Sequence, residues 1–330
     1  MTDYYPDIKS ILTNSCIAGF GKNALEIFRY QYRNNPVYKK FCDLLGTKPE
    51  SIQETEQIPF LPVEVFRTHQ VQCGSAEAEK IFLSSGTSGQ AVSKHYVNDL
   101  SVYRASLSRC FEIIYGAIKD YCILALLPSY LEQKNSSLVY MVNGLIALSG
   151  SPLSGFVPGD IASLQKRIAL AGEGGKEVLL LGVSYALLDL AEKNGLDLHG
   201  NIVMETGGMK GRRKEMTREE LHSILIRSFG TEAIHSEYGM TELLSQAYSK
   251  GGGLYYTPPW MKILIRDPHD PFALLADGST GGVNIIDLAN IHSCSFIETS
   301  DLGVSHPDGS FEIVGRFDNA DIRGCNLLMV

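Results

Sequence analysis

Between residues 80 and 229 the chain alternates two apolar patterns, and that alternation restricts the possible folds more than any other feature. Short apolar runs of strand length (Ile81–Leu83, Tyr121–Leu127, Val178–Leu181 and Ile202–Met204) are separated by longer segments with apolar residues at helical spacing (Leu100–Ile118, Ile161–Ala171 and Thr217–Phe229). Such an alternation predicts an α/β domain with a largely parallel sheet. One helix start is sharply marked: Thr217, followed three residues later by Glu220, forms a capping box ahead of Leu221, Leu225 and Ile226.

The flanking segments read differently. Asp7–Ala18, Asn23–Arg33 and Val37–Leu45 carry helical spacing, and Asn35-Pro36, Pro59 and Pro62 punctuate them, which predicts a helical preface over residues 1–60 and then an extended link. After residue 250 the texture changes to runs such as Met261–Ile265 and Val283–Asp287 between Gly-rich turns near Gly252, Gly278, Gly281 and Gly309. This predicts antiparallel strands, a small β subdomain over 251–330 closing an α/β core over 61–250.

With 330 residues, 44% of them hydrophobic and 20% charged, the chain has material for one large core or for several packed subdomains. The net charge of -8 and the scatter of Lys and Arg outside Lys210–Lys214 argue against a nucleic-acid surface and for a small-molecule or protein substrate. That basic run can contact phosphates or an acidic partner, or simply face solvent. The N-terminal residues lack the basic start and apolar stretch of a secretory signal, and no run has the length of a membrane span, so a cytoplasmic protein is expected. The seven cysteines are widely spaced without a Cys-x-x-Cys pair, which predicts reduced thiols and no structural zinc; Cys16, Cys42, Cys110, Cys122 and Cys294 are read as core residues.

Three segments can carry chemistry. Leu83-Ser84-Ser85-Gly86-Thr87-Ser88-Gly89 follows a strand and precedes Lys94. Glycines let backbone N–H groups crowd an anion, hydroxyls add donors and a lysine adds charge, so the composition is that of a phosphate cradle. It is not a Walker A loop, because Ala91 stands five residues past Gly86, where that motif needs its second glycine, and a flexible Ser/Gly loop is the plain alternative. Glu237-Tyr238-Gly239-Met240-Thr241-Glu242 follows the predicted strand Ala233–Ser236. It offers an aromatic face for a purine, a close backbone, a hydroxyl for a phosphate oxygen and a carboxylate for Mg²⁺; otherwise it is a strand end turning into a helix. Last come Thr299-Ser300-Asp301-Leu302-Gly303 and Gly315-Arg316-Phe317-Asp318, separated by the turn His306–Gly309. A hairpin would pair Asp301 with Arg316, either to hold ribose hydroxyls or as a surface salt bridge. His95 and His235 fall near these segments and are read as structural groups rather than bases.

Taken together and in this order, the segments resemble the core motifs of the adenylate-forming superfamily over roughly residues 60–330. The resemblance implies the superfamily's large-domain fold, helix-flanked sheets in an αβαβα arrangement with a small β subdomain. It also implies a role for each motif. Ser84, Ser85, Gly86, Thr87, Ser88, Gly89 and Lys94 would hold ATP phosphates, Thr241 the α-phosphate and Glu242 the Mg²⁺. Gly207, Gly208, Tyr238 and Gly239 would line the adenine, and Asp301 and Arg316 would bind ribose. The implied reaction is attack of a carboxylate on the ATP α-phosphorus to give acyl-AMP and pyrophosphate. The superfamily's C-terminal lysine domain has no counterpart before Val330.

Among the branches, the chain resembles the acyl-protein synthetases (LuxE-type) in its ending Arg323–Val330, in Pro128–Glu132 with Ser136–Leu138, and in Glu205–Arg213. That resemblance implies a fatty acid substrate, a thioester on Cys325 beside Arg323, and delivery to an acyl-accepting reductase or other acyl-carrying protein. A ligase of the phenylacetate-CoA type and a non-catalytic nucleotide- or acyl-binding partner are the competing readings. Leu138–Leu148 can wall an acyl pocket or form an ordinary core helix.

Overall fold

The computed structural model describes residues 7–13, 19–84, 92–128, 134–209, 213–214 and 216–317. The chain opens with helices α1 (Ile8–Thr13), α2 (Phe20–Asn34) and α3 (Pro36–Leu44), then β1 (Leu61–Pro62), the short α4 (Val65–Thr68) and the hairpin β2 (Lys80–Leu83) and β3 (Lys94–Val97). An α/β run follows: α5 (Leu100–Tyr115), β4 (Tyr121–Leu126), α6 (Ser137–Ser149), β5 (Gly155–Phe156), α7 (Ile161–Glu173), β6 (Glu177–Val183), α8 (Ser184–Glu192), β7 (Ile202–Thr206), α9 (Arg218–Phe229), β8 (His235–Tyr238) and β9 (Ala247–Ser249). The chain then becomes all β, with β10 (Met261–Arg266), β11 (Thr280–Asp287), β12 (Phe296–Ser305) and β13 (Phe311–Arg316).

The α/β run builds a six-stranded sheet of order β5-β4-β6-β7-β8-β9, parallel except for the β8–β9 pair. Every residue of β4 and β7, and all of β6 beyond Glu177, is buried, which is why these strands read as unbroken apolar runs. The capping box forms as predicted: the Glu220 N–H donates to Thr217 Oγ1 at 3.2 Å and the Thr217 N–H to Glu220 Oε2 at 3.1 Å. The predicted helix Leu100–Ile118 ends earlier, at Tyr115, because Gly116 takes a positive φ.

The second sheet is antiparallel with one exception. Strands β10, β11, β12 and β13 pair in antiparallel fashion, but Leu61 and Pro62 lie parallel to Ile297 and Glu298. The segment expected to be an extended link is therefore a strand of a sheet whose other members lie some two hundred residues away. The helical preface is fastened to the same region. Gln31 Nε2 donates to the carbonyls of Asn290 (2.9 Å) and Ile291 (3.0 Å), and Gln31 Oε1 accepts from the Ser295 N–H at 3.0 Å. Asn35 caps α3 through Val37 and Tyr38 N–H groups while its own amide donates to the Ser293 carbonyl at 2.8 Å.

The two sheets are locked at Asp287, the last residue of β11 and fully buried. Its carboxyl accepts from the backbone N–H groups of Leu244, Ser245 and Ala289, each at 3.0 Å, and from Ser245 Oγ at 2.7 Å. Replacing Asp287 with Ala would leave buried donors unmatched, and that mechanism carries a penalty of about 3 kcal/mol or more. The expected outcome for Asp287→Ala is an unfolding free energy, taken from the urea midpoint at an unchanged m-value, lowered by that amount; a change below about 1 kcal/mol would refute the locking role.

Candidate functional site

In open α/β sheets a crevice forms at the carboxyl ends of the strands where strand order reverses. Here the chain runs outward from β4 to β5 and returns on the other side of β4 to β6. A cavity of about 110 Å³ lies at that end of the sheet, lined by Thr206 and Gly207 from the end of β7, by Glu237, Gly239 and Thr241 from β8 and its exit, and by Ser136, Ser137 and Met141 around the start of α6. A broader open groove of about 570 Å³, between α2 and residues 53–56, touches none of the motif residues.

Local backbone geometry explains the glycines. Gly207 and Gly208 have φ of 74° and 65°, a left-handed pair that turns the chain sharply off β7 and that side chains would strain. Gly239 is needed for another reason: a Cβ there would fall 2.5 Å from Glu237 Oε1. The glycine of this motif makes room for the neighbouring carboxyl. Glu237 is buried and accepts a hydrogen bond from Thr206 Oγ1. Burial pushes its carboxyl up to about 7, with the Thr206 bond opposing the shift and the nearby Glu205 adding to it.

Beside this cavity the third motif assembles as the hairpin reading required. Asp301 and Arg316 are register partners on β12 and β13, and Arg316 Nε lies 3.0 Å from Asp301 Oδ1. Tyr238 Oη donates to the other carboxyl oxygen at 2.7 Å, so the second and third motifs meet on one carboxylate. The Tyr238 ring packs edge-on against Tyr255 and Phe311 and stays partly exposed.

Thr241 and Glu242 lie in a turn, not at the start of a helix. Their carbonyls are held from below: Thr241 O by His95 Nδ1 at 2.8 Å and Glu242 O by Asn290 Nδ2 at 2.7 Å. A carbonyl only accepts, so Nδ1 carries a proton, while Nε2 meets Ser293 Oγ at 2.9 Å. Burial pulls His95 down to about 4, which makes it a neutral strut under the motif, in line with the structural reading of that residue. Glu242 is itself buried, and burial raises its carboxyl against the opposing effects of Ser93, Arg67 and Arg316. Among the described residues no cluster of three or more His, Cys, Asp or Glu could cage a metal. A single carboxylate beside a hydroxyl fits Mg²⁺ in another way, because that ion is commonly held by one or two carboxylates together with substrate phosphates.

Lys94 is exposed and pairs across the β2–β3 hairpin with Leu83, which lines the cavity, so both project from the same face. Ser84 closes the neck of the loop between these strands: its Oγ accepts from the Ser93 N–H at 2.9 Å. Ser85, Gly86, Thr87, Ser88, Gly89 and Cys325 lie outside the described residues. So do Lys210–Arg212; Arg213 from that basic run ion-pairs with Asp189 and Glu192. The described cysteines are all buried, and burial raises Cys42, Cys73 and Cys110 to about 12 and also lifts Cys122 and Cys294, so none is a ready nucleophile.

Sequence reasoning passed over Tyr103 and Gln246 and quoted Thr206, Glu237, Ser136 and Ser137 within motifs without giving them a role; all six line the cavity. Ser136 carried a local signal as the N-cap of α6. Tyr103 and Gln246 carried none, since each reaches the cavity only through packing. Within Leu138–Leu148, Leu138 and Met141 line the cavity while Val142 and Leu145 are buried in the core.

The raised Glu237 carboxyl fixes the sign of a pH effect. Between the unfolded value near 4.5 and the folded value near 7 the native state holds a proton that the unfolded state has lost, so this residue's contribution to stability falls as pH rises through that window. Glu237→Gln is expected to flatten the decline by about 3 kcal/mol between pH 4.5 and 7, read from denaturation midpoints across the window; parallel curves for the two proteins would show that Glu237 does not titrate there.

The sequence profile described as acyl-protein synthetase, LuxE, matches residues 14–330. The long-chain-fatty-acid–luciferin-component ligase of Vibrio harveyi is 26% identical over 326 residues, covering 92% of this chain and 85% of that protein. Among solved structures, ATP-bound MatB from Rhodopseudomonas palustris superposes with a TM-score of 0.54 at 17% identity, covering 72% of this chain and 47% of that one. The 2-hydroxyisobutyryl-CoA ligase with 2-HIB-AMP and CoA superposes with a TM-score of 0.65 at 16% identity, covering 94% and 68%. The chain thus spans about half the length of MatB and has the fold of the adenylate-forming enzymes. With the profile matched across nearly its whole length, the chain belongs to the acyl-protein synthetase family, LuxE.

Proposed function

We propose that the protein uses ATP to activate a carboxylic acid as acyl-AMP, releasing pyrophosphate, and then passes the acyl group to a cysteine thiol. The Tyr238–Asp301–Arg316 constellation beside the cavity lined by Gly207 and Thr241 carries this reading. The Vibrio harveyi ligase supports a fatty acid as the substrate class and the ATP-bound MatB supports the nucleotide. In this reading residues 61–250 supply the acid and phosphate contacts, residues 251–330 the ribose contacts and the acyl-carrying tail, and residues 1–60 the helical support.

The chemistry then follows from the side chains. Asp301, oriented by Tyr238 and Arg316, accepts hydrogen bonds from the ribose hydroxyls, and Gly207 and Gly208 let backbone approach the adenine beside Tyr238 and Gly239. Lys94 and the hydroxyls of Ser84, Ser85, Thr87 and Ser88 offset phosphate charge. Thr241 donates to the α-phosphate, and Glu242 would hold Mg²⁺, which would supply charge neutralisation at the phosphates. With charge and geometry set, an oxygen of the acid attacks the α-phosphorus as its bond to the bridging oxygen breaks and pyrophosphate leaves. The Cys325 thiolate, favoured by Arg323, then attacks the acyl carbon and AMP departs, leaving a thioester for an acyl-accepting protein.

Acid-dependent pyrophosphate release tests the first half-reaction. Asp301→Ala is expected to raise the KM for ATP about 10-fold or more, the loss of about 1.4 kcal/mol or more of binding; an unchanged KM would remove Asp301 from the ribose site. For the second half, Cys325→Ser is expected to abolish hydroxylamine-labile labelling by radioactive acid while pyrophosphate release persists. Labelling retained in that variant, or transfer to free coenzyme A unaffected by it, would place the acyl acceptor elsewhere.

A further inference from the structure

The turn around α4 joins the two halves of the site and carries a cation to which the fold gives no partner. Just before the helix, the Val63 N–H donates to the Glu298 carbonyl at 2.9 Å, and the Glu64 carboxylate accepts from Ser300 Oγ, one residue before Asp301, at 2.7 Å. Within the helix, Phe66 is fully buried and stands edge-on against the His95 ring, with centroids 5.9 Å apart. His95 in turn holds the Thr241 carbonyl. The turn that presents Arg67 is thus fastened both to the Asp301 strand and to the support of the Thr241 motif.

Arg67 is half-buried, yet its guanidinium makes no hydrogen bond or ion pair with any described residue. Other cations nearby are committed: Arg316 to Asp301, and Arg266 to the carbonyls of Val283 and Thr299. Glu64, three residues earlier, is spent on Ser300. A guanidinium partly withdrawn from water, with no acceptor offered by the protein around it, is left ready for an anion from outside.

Glu242 locates that cation. Burial raises the Glu242 carboxyl while Ser93, Arg67 and Arg316 oppose the rise, so all three groups stand around this one side chain. Ser93 is at the neck of the β2–β3 loop, where its N–H donates to Ser84 Oγ at 2.9 Å, and Arg316 belongs to the Asp301 hairpin. The loop neck, the hairpin and α4 therefore converge at Glu242.

Resting on the adenylation reading above, we infer that Arg67 is a further catalytic residue, one that grips the β- and γ-phosphates of ATP. In that reading the adenine, ribose and α-phosphate already have Tyr238, Asp301 and Thr241, whereas the terminal phosphates have exposed Lys94 and the loop hydroxyls. A planar guanidinium offers two parallel N–H groups to two phosphate oxygens, which an ammonium does not. As an oxygen of the acid bonds to the α-phosphorus, the bond from that phosphorus to the α–β bridging oxygen breaks and its electron pair leaves on pyrophosphate. The Arg67 N–H groups stabilise this growing charge, so they act more strongly in the transition state than on bound ATP. AMP, lacking both phosphates, is indifferent to Arg67.

The test compares the full wild-type chain with Arg67→Gln and Arg67→Lys. In calorimetric titrations with Mg²⁺ present, Arg67→Gln is expected to weaken binding of ATP and of inorganic pyrophosphate by about 10-fold or more and to leave AMP binding unchanged, with Arg67→Lys in between. In pyrophosphate release with ATP and the best acid of a series from octanoate to octadecanoate, Arg67→Gln is expected to lose about 100-fold in kcat. A second readout needs no variant: phenylglyoxal addition to Arg67 in the wild type, followed by mass spectrometry of its peptide, is expected to be blocked by ATP or pyrophosphate and not by AMP. Addition that ATP and pyrophosphate fail to block, or an ATP affinity unchanged in Arg67→Gln, overturns this inference, while acid-dependent pyrophosphate release by the wild type keeps adenylation standing. An AMP affinity that falls as far as the ATP affinity gives Arg67 a structural role and overturns it as well. Blocking by ATP without pyrophosphate release for any acid of the series instead overturns adenylation and leaves Arg67 a phosphate ligand.

Discussion

A single buried carboxyl, that of Asp287, ties the chemistry of one sheet to the framework of the other. It gathers the N–H groups of Leu244 and Ser245 along with the Ser245 hydroxyl, which in turn accepts from Trp260 Nε1 at 2.9 Å. Immediately beyond β11, residues 290–295 act as a rail on which Gln31, Asn35, His95 and Asn290 position the helices, the β2–β3 hairpin and the Glu242 turn. Polar groups buried in low dielectric are costly unless matched, so each of these bonds constrains geometry as well as stability. The outcome is a motif turn held from beneath by a neutral histidine, an asparagine and an aspartate, with its upper side open to a ligand.

Charge is arranged on the same logic. Glu205 and Glu237 stand on neighbouring strands of the parallel sheet, where Glu205 is the register partner of Ser236. Burial pushes against ionisation at both, but at Glu205 the His222 ring 3.8 Å away, the neighbouring Ser236 hydroxyl and the Ser184 hydroxyl, which donates at 2.9 Å, outweigh it and hold that carboxyl below its ordinary value. At Glu237 burial prevails, with Glu205 adding to it and the Thr206 hydroxyl opposing it, and so that carboxyl rises. Two adjacent carboxyls thereby take different protonation states, so only one of them adds a negative charge at this end of the sheet. On the far sheet, buried Arg266 donates to the carbonyls of Val283 (3.0 Å) and Thr299 (2.7 Å) at the bulge between Gly282 and Asn284, and the Asp301 N–H donates to Thr299 Oγ1 at 3.1 Å. Through Thr299, the Asp301 backbone is thus set by a cation two strands away.

Much of this was readable from local pattern. The unbroken apolar runs of β4, β6 and β7, the capping box of α9 and the Asp301–Arg316 hairpin each follow from rules acting over a few residues, and the structure forms all of them. The cavity wall was not readable in the same way. Gln246 precedes a short strand, Tyr103 sits on an ordinary helix, and Leu61-Pro62 looks like a link; each acquires its role from a partner far along the chain. Even Gly239, recognisable as a motif glycine, owes its requirement to the Glu237 side chain folding back over it.

The sequence by itself determined the order of elements, the parallel and antiparallel halves, and two motifs that meet at Tyr238, Asp301 and Arg316. These depend on periodicity, turn chemistry and motif spacing, all of which act along the chain. Only the tertiary structure decided which side chains face one another across the cavity, how much room they leave, and which of two neighbouring carboxyls keeps its proton. Those properties depend on burial and on distances between residues remote in sequence, and the free energy of a buried polar group is set by what surrounds it rather than by what precedes it.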